Sequence, residues 1–267
     1  MNTDSIDNSH DHGPMTFGDH LEELRRMFFR VLAATAVLTI VIFCFKDKTF
    51  ELLLAPSEWD FCTYRWIESA VQALGIDFHL EKYQVDLIAT DLSSQFMTHI
   101  TASCLLAVLA ASPYILYELF RFVSPALYHN ERRYALRLVT AIYLLFIVGV
   151  MMTYFVLFPI SFRFLGTYSV AAKVHSTITI SSYIETFTTL TFLMGVVFQL
   201  PVVAFFLGKM GVVTSDMLAR YRRHAIVLLM IIAAIITPPD IMTLIIVTIP
   251  LYFLYEVSIR IIKWTHR

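Results

Sequence analysis

Cysteine is scarce in this chain. Three residues in 267, Cys44, Cys62 and Cys104, form no CxxC pair and no zinc-ligand spacing. A disulfide scaffold and a cysteine-based metal centre are therefore not what organises it, although Cys44 and Cys62 fall on one side of the membrane and could meet there. Charge is scarce as well: Asp, Glu, Lys and Arg make up 15% of the residues, against about 25% in an average soluble domain. The catalytic signatures HExxH, GxSxG and the P-loop are missing. His20, His129 and His224 are scattered without ligand spacing and read as solvated or capping side chains. No nucleophile and base stand as a pair. These absences argue against an enzyme, an intramembrane hydrolase included, and against a metal or other cofactor. The first 14 residues lack the basic start of a secretory signal and the arginine-rich pattern of a transit peptide, and read as a polar, disordered tail.

What is abundant is apolar sequence, 58% of the chain. Its distribution predicts an all-α integral membrane protein with six transmembrane helices over residues 15–264, followed by a short cytoplasmic end at 265–267. Met15–Arg30 reads as an amphipathic surface helix with Phe17, Leu21, Leu24 and Phe28 on one stripe, lying in the interface ahead of the first span. Span one is expected over Met27–Phe45. A long outer segment at about 46–95 follows, with a surface helix near 59–75 that sets Trp59 and Trp66 at headgroup depth. Span two covers about Phe96–Phe120 and span three Tyr134–Phe164, with Pro159 near its outer end. Residues 165–182 form a second outer loop. Span four covers Tyr183–Met210, interrupted by Gly195 and Pro201. Span five has only Ala225–Ile236 as clear apolar sequence. Span six runs from Ile241 to about Ile262, with Pro250 inside it and Glu256 and Arg260 as i,i+4 partners.

Six spans place both termini on one side. Fourteen Lys and Arg residues then fall inside and six outside, which together make the chain's 20, so the positive-inside rule selects N-in and C-in. With a net charge of -1, the total says nothing about partners; nucleic acid is not among those expected.

Three features carry the functional reading. The first is Ser112–Arg137, which closes one span, turns at Ser124-Pro125 and opens the next behind Glu131-Arg132-Arg133. On a helix Glu131 faces Leu127, Tyr128, Tyr134 and Ala135, none cationic. It is either a solvated loop carboxylate or one whose cation comes from elsewhere. The second is Gln199, a polar residue deep in span four beside Pro201, which frees a backbone carbonyl one turn earlier. It serves either as an internal helix–helix hydrogen bond or as a docking point for another membrane helix. The third is the shortness of span five. His224–Thr237 is 14 residues, about 21 Å of helix against a hydrocarbon core of about 30 Å. Either the helix extends into Tyr221-Arg222-Arg223 or the bilayer thins beside it.

FGDHLEELRR (17–26), SPYILYELFRFVSPALYHNERR (112–133), FQLPVV (198–203) and ITPPD (236–240), in that order, resemble the motifs of the TatC family, the multi-span receptor subunit of the twin-arginine protein translocase. The likeness covers about residues 16–264, and implies six helices bent into a cupped bundle with a concave face in the membrane. It implies that twin-arginine signal peptides of folded proteins bind at the cytoplasmic face of a prokaryotic inner membrane. Two carboxylates, matching Glu23 and Glu131, would read the arginine pair. His20, Leu24, Arg25 and Arg26 match the first motif, with the two arginines orienting Glu23 or the helix. Phe122 and Pro125 match the surface around the second acid. Gln199 and Pro201 match the partner-helix docking region, where the family commonly carries glutamate. Pro56 and Asp240 match outer-side cap and turn positions. The implied partners are single-span TatA and TatB type proteins, the lipid bilayer and further copies of the chain, with export driven by the proton gradient. Residues of about 58–82 look inserted relative to the family. A small-solute transporter or channel is the alternative function; it predicts ionisable residues near mid-span, and almost none are present.

Overall fold

The computed structural model describes residues 17–73, 75, 83, 85–123, 132–169, 177–238 and 240–265. The fold is built almost wholly from helices, as expected of an all-α membrane protein. The exception among the described residues is a two-residue parallel ladder outside the spans, β1 (Leu87–Ile88) beside β2 (Ile178–Thr179).

The N-terminal helix departs from expectation. The surface helix and span one are a single helix, α1 (Phe17–Phe43), of 27 residues. No proline or glycine lies between Asp19 and Phe43, and the Glu22–Arg26 pair at i,i+4 supports the polar turns, so nothing breaks the helix where it meets the membrane. At about 1.5 Å per residue it is about 40 Å long and overruns a hydrocarbon core of about 30 Å.

The outer segment folds as α2 (Lys46–Leu54), a 3₁₀ turn at Ala55–Ser57 and α3 (Cys62–Ala73). Span two is α4 (Ser94–Val123). Span three is α5 (Arg132–Met152), a π-helical turn at Thr153–Leu157, and α6 (Phe158–Thr167). Span four is α7 (Ile180–Val197) and α8 (Leu200–Lys209). The break falls at Phe198-Gln199, just ahead of Pro201. Gly195 interrupts nothing: it sits inside α7 as a packing position. A short helix α9 (Ser215–Arg220) leads into α10 (Arg222–Ile236), and α11 (Ile241–Thr265) closes the chain.

Five of these spans are long and apolar enough to cross a membrane. The sixth, α10, has 15 residues, about 22 Å. Extension gains it only Arg222 and Arg223, because Tyr221 leaves helical geometry (φ −92°, ψ 14°). Span five is short in the fold as in the sequence.

Aromatic packing joins the outer cap to the spans. Tyr183 is buried, donates its hydroxyl to the Leu53 carbonyl at 2.8 Å, and meets the edge of Phe158 at 5.0 Å. Asp240 caps α11, its Oδ1 accepting from the Thr243 N–H at 2.6 Å, and Pro56 is buried in the 3₁₀ turn. Both sit in turns that join helices. Cys44, Cys62 and Cys104 are free thiols, so no disulfide joins the outer side.

Candidate functional site

At the end of the bundle that the charge count assigns to the cytoplasm, α1 and α4 enclose an open hollow of about 320 Å³. Its lining is Glu22, Glu23, Arg26 and Arg30 from α1 and Arg121 from the last turn of α4. Spacings of three, four and seven or eight residues put the four α1 groups on one helical face, while Leu24 and Arg25 turn outward and are exposed. The structure thus brings Glu23 and Arg26 together and leaves Leu24 and Arg25 outside the lining. Phe122, half-buried in the last turn of α4, is next in sequence to Arg121 of the lining but is not part of it. Pro125, Glu131 and the side chain of His20 lie outside the described residues.

The arginines of the hollow are mostly engaged. Arg26 pairs with Glu22 at 2.6 Å one turn back on its own helix, rather than with Glu23. Arg30 reaches across to α4 and donates through Nη1 to both oxygens of Glu118, at 3.2 and 3.4 Å. Among the described residues Glu23 itself makes no ion pair. Its carboxylate lines the hollow, and among the described residues Arg121 is the lining cation not held by another acid.

Glu118 was not apparent from the motifs. It is the only acid in α4, and Arg30 is the only charged residue between Met27 and Phe45. Lone opposite charges on two apolar helices tend to find each other, because neither is stable alone in hydrocarbon; that was the available signal. Glu118 is 5% exposed, and Arg30 remains partly in water.

A second cross-helix pair replaces an expected local one. Glu256 binds Arg222 of α10 in a two-point fork, Nε to Oε1 at 2.8 Å and Nη2 to Oε2 at 3.0 Å, rather than Arg260 one turn along its own helix. The planar guanidinium matches both carboxylate oxygens, and Tyr252 adds a hydrogen bond to Oε1 at 3.1 Å.

Within the membrane, Gln199 occupies the break between α7 and α8. Its Nε2 donates to the Ile142 carbonyl on α5 at 3.2 Å, so half of the internal bonding expected of it exists. Its Oε1 is buried without a hydrogen-bond partner among the described residues. Pro201 is buried and acts through the turn it imposes.

Similarity to known proteins covers the same ground. The sequence profile of TatC, Sec-independent protein translocase protein, matches residues 19–250. The chain is 37% identical to the Sec-independent protein translocase protein TatCy of Bacillus subtilis (strain 168), over 95% of its length and 91% of that protein's. It is 32% identical to the TatC protein of Blattabacterium sp. subsp. Periplaneta americana, over 92% and 94% respectively. Its fold superposes on a crystal structure of the twin-arginine translocase receptor TatC with a TM-score of 0.73 at 31% identity, covering 93% of this chain and all of that one.

Proposed function

The chain belongs to the TatC family of Sec-independent protein translocase proteins, and from that premise we propose that it is the receptor that reads paired arginines in the signal peptides of exported proteins, using the α1–α4 hollow. It is a multi-pass membrane protein and a component of the twin-arginine translocation system, acting in transport rather than catalysis. The observation that carries the reading is Glu23: a carboxylate on the wall of a hollow whose neighbouring cations, Arg26 and Arg30, are already held by Glu22 and Glu118. A guanidinium entering this hollow would meet a carboxylate free to take it in the two-point geometry that lysine cannot reproduce.

In this reading Glu131, on the stretch that leaves α4, supplies the second carboxylate for the second arginine. His20, Leu24, Arg25, Phe122 and Pro125 shape the approach rather than bind charge. The hollow faces the cytoplasm of a prokaryotic inner membrane, with both termini on that side, in accord with the excess of Lys and Arg there. Single-span TatA and TatB type partners dock along the α5–α7 face at Gln199, whose enclosed Oε1 becomes available if the side chain turns outward. Transport draws on the proton gradient, and further copies of the chain complete the working complex.

Photo-crosslinking in membrane vesicles tests the site. A twin-arginine signal carrying a photoreactive residue next to the arginine pair should crosslink to the wild-type chain. It should fail to crosslink to Glu23→Ala or Glu131→Ala, and a lysine-paired signal should crosslink several-fold less. Undiminished crosslinking to both variants would remove the two-carboxylate site.

A further inference from the structure

Among the described residues, the charges of the hollow balance only with a residue that is not on its surface. The described lining holds three guanidiniums, Arg26, Arg30 and Arg121, against two carboxylates, Glu22 and Glu23. Glu118 stands behind Arg30, bonded to it through both oxygens, and brings the acids to three. Remove it and Arg30 is left as an unpaired positive charge on the lining. That charge would sit seven residues from Glu23 on the same helical face, where a cationic ligand must come.

We propose that Glu118 is a positioning residue for this hollow, which by holding Arg30 screens the charge that would otherwise repel an incoming pair of arginines. It rests on the hollow being the site of signal binding. Glu118 touches no ligand; it acts through Arg30. Three features favour a screen over a simple helix-to-helix link. Both carboxylate oxygens accept from the one Arg30 nitrogen, Nη1, and the Tyr114 side chain, one turn earlier on α4, also hydrogen-bonds the carboxylate. The burial of Glu118 keeps its carboxylate from turning to water and leaving Arg30 bare. The other engaged arginine of the lining, Arg26, is cancelled in the same manner by Glu22 at 2.6 Å. Hence both cations nearest Glu23 in sequence on its face are paired with other acids, and neither competes for its carboxylate. A like charge at this range, in a partly screened setting, costs about tenfold in affinity.

The test uses the full-length chain in detergent, titrated with a fluorescent peptide bearing an arginine pair and with its lysine-paired counterpart. Glu118→Gln should weaken the arginine peptide about tenfold. The double variant Arg30→Gln/Glu118→Gln, which removes both charges, should restore binding to near the wild-type value. A double variant as weak as Glu118→Gln would show the pair to be only a link between helices and would overturn the screen, as would wild-type binding by Glu118→Gln. If Glu118→Gln does not fold, Arg30→Gln decides: it should bind at least as tightly as wild type, and a loss of binding overturns the proposal. Glu23→Gln run alongside separates the two levels, because wild-type binding there sinks the site itself, whereas its loss with an unaffected Glu118→Gln sinks only the screen.

Discussion

Phe146 of α5 lies against the backbone of Gly195 in α7 so closely that a Cβ built on Gly195 would meet its Cε2 at 2.6 Å. The relationship is returned one turn away, where a Cβ on Gly149 would meet Phe198 Cγ at 2.8 Å and the Met194 carbonyl oxygen at 2.9 Å. Two glycines on opposite helices each receive the other helix's aromatic ring. This draws spans three and four together just where α7 breaks, and it brings the Gln199 amide within reach of the Ile142 carbonyl.

The two glycines are not equally replaceable. At Gly195 the obstacle is a ring that can tilt; at Gly149 it includes a backbone carbonyl that cannot move without moving α7. Gly149→Ala should therefore destabilise the detergent-solubilised protein more than Gly195→Ala, with overpacking costs of about 1–3 kcal/mol at the former. Thermal unfolding followed by the loss of helical circular dichroism would rank them, and a larger loss for Gly195→Ala would contradict the geometry.

On the outer side, Pro159 has no N–H to donate and so leaves a carbonyl one turn earlier without its helical donor. The Thr63 hydroxyl of α3 donates to the Phe155 carbonyl, and the Tyr64 hydroxyl donates to the Pro159 carbonyl at 2.9 Å. α3 is thereby pinned to the distorted part of span three. Thr63→Val keeps shape and removes the donor, at a cost of about 1–3 kcal/mol for a buried carbonyl left unpaired. Because the cost is local, it should be seen as faster amide exchange and protease cleavage in 58–73 with little change in signal binding. Unaltered protection of that segment would mean that the aromatic contacts alone hold it.

These contacts mark the limit of what periodicity can say. The spans were legible because apolar runs and their ends are one-dimensional facts. Even the short fifth span kept its length, since Tyr221 and Thr237 bound it on either side. The join of the surface helix to span one was not legible, because Glu22, Arg25 and Arg26 signal a wet surface whether or not the helix continues. Pairings across helices were the larger miss. Glu256 has a well-spaced arginine on its own helix at Arg260, yet it chooses Arg222, because only the cross-helix approach offers both oxygens to one fork. Glu118 was hidden for the same reason: its partner is 88 residues away in sequence and next to it in space. Of the candidate site, Glu23 could be read from its motif and the Glu22–Arg26 pair from its i,i+4 spacing, but the occupation of Arg30 by Glu118 could not.

The outer tyrosines give a pH dependence with a definite sign. Tyr64 is 3% exposed; burial first, and then its hydrogen bond with Tyr83 at 2.8 Å, push its ionisation far above the ordinary value of 10.0. The Arg163 guanidinium lies 5.2 Å from the Tyr64 ring and 4.8 Å from that of Tyr83, and opposes the shift without reversing it. A group whose folded value is raised lends stability that is complete below its unfolded value and is lost as pH climbs past it. The outer cap should therefore be indifferent to pH from about 6 to 9 and loosen above about 10. Protease accessibility of α3 against pH would show this, and Tyr64→Phe, which cannot ionise, should flatten the alkaline loss.

Gln199 offers a way to separate folding from assembly. Its Nε2 bond to Ile142 contributes about 1 kcal/mol, as internal hydrogen bonds do, while its Oε1, enclosed without a partner, costs a comparable amount. Gln199→Leu removes both at once and keeps most of the volume, so the two effects offset and the isolated chain should melt within about 1 kcal/mol of wild type. Signal binding at the α1–α4 hollow, which shares no residue with this break, should also be unchanged. If a polar group on a single-span partner makes use of the glutamine, the variant will nonetheless recover less partner on copurification from mild detergent. Full partner recovery with unaltered stability would assign Gln199 to internal packing alone. A marked loss of stability would mean that the Ile142 bond outweighs the orphaned oxygen, so that any loss of partner would follow from misfolding.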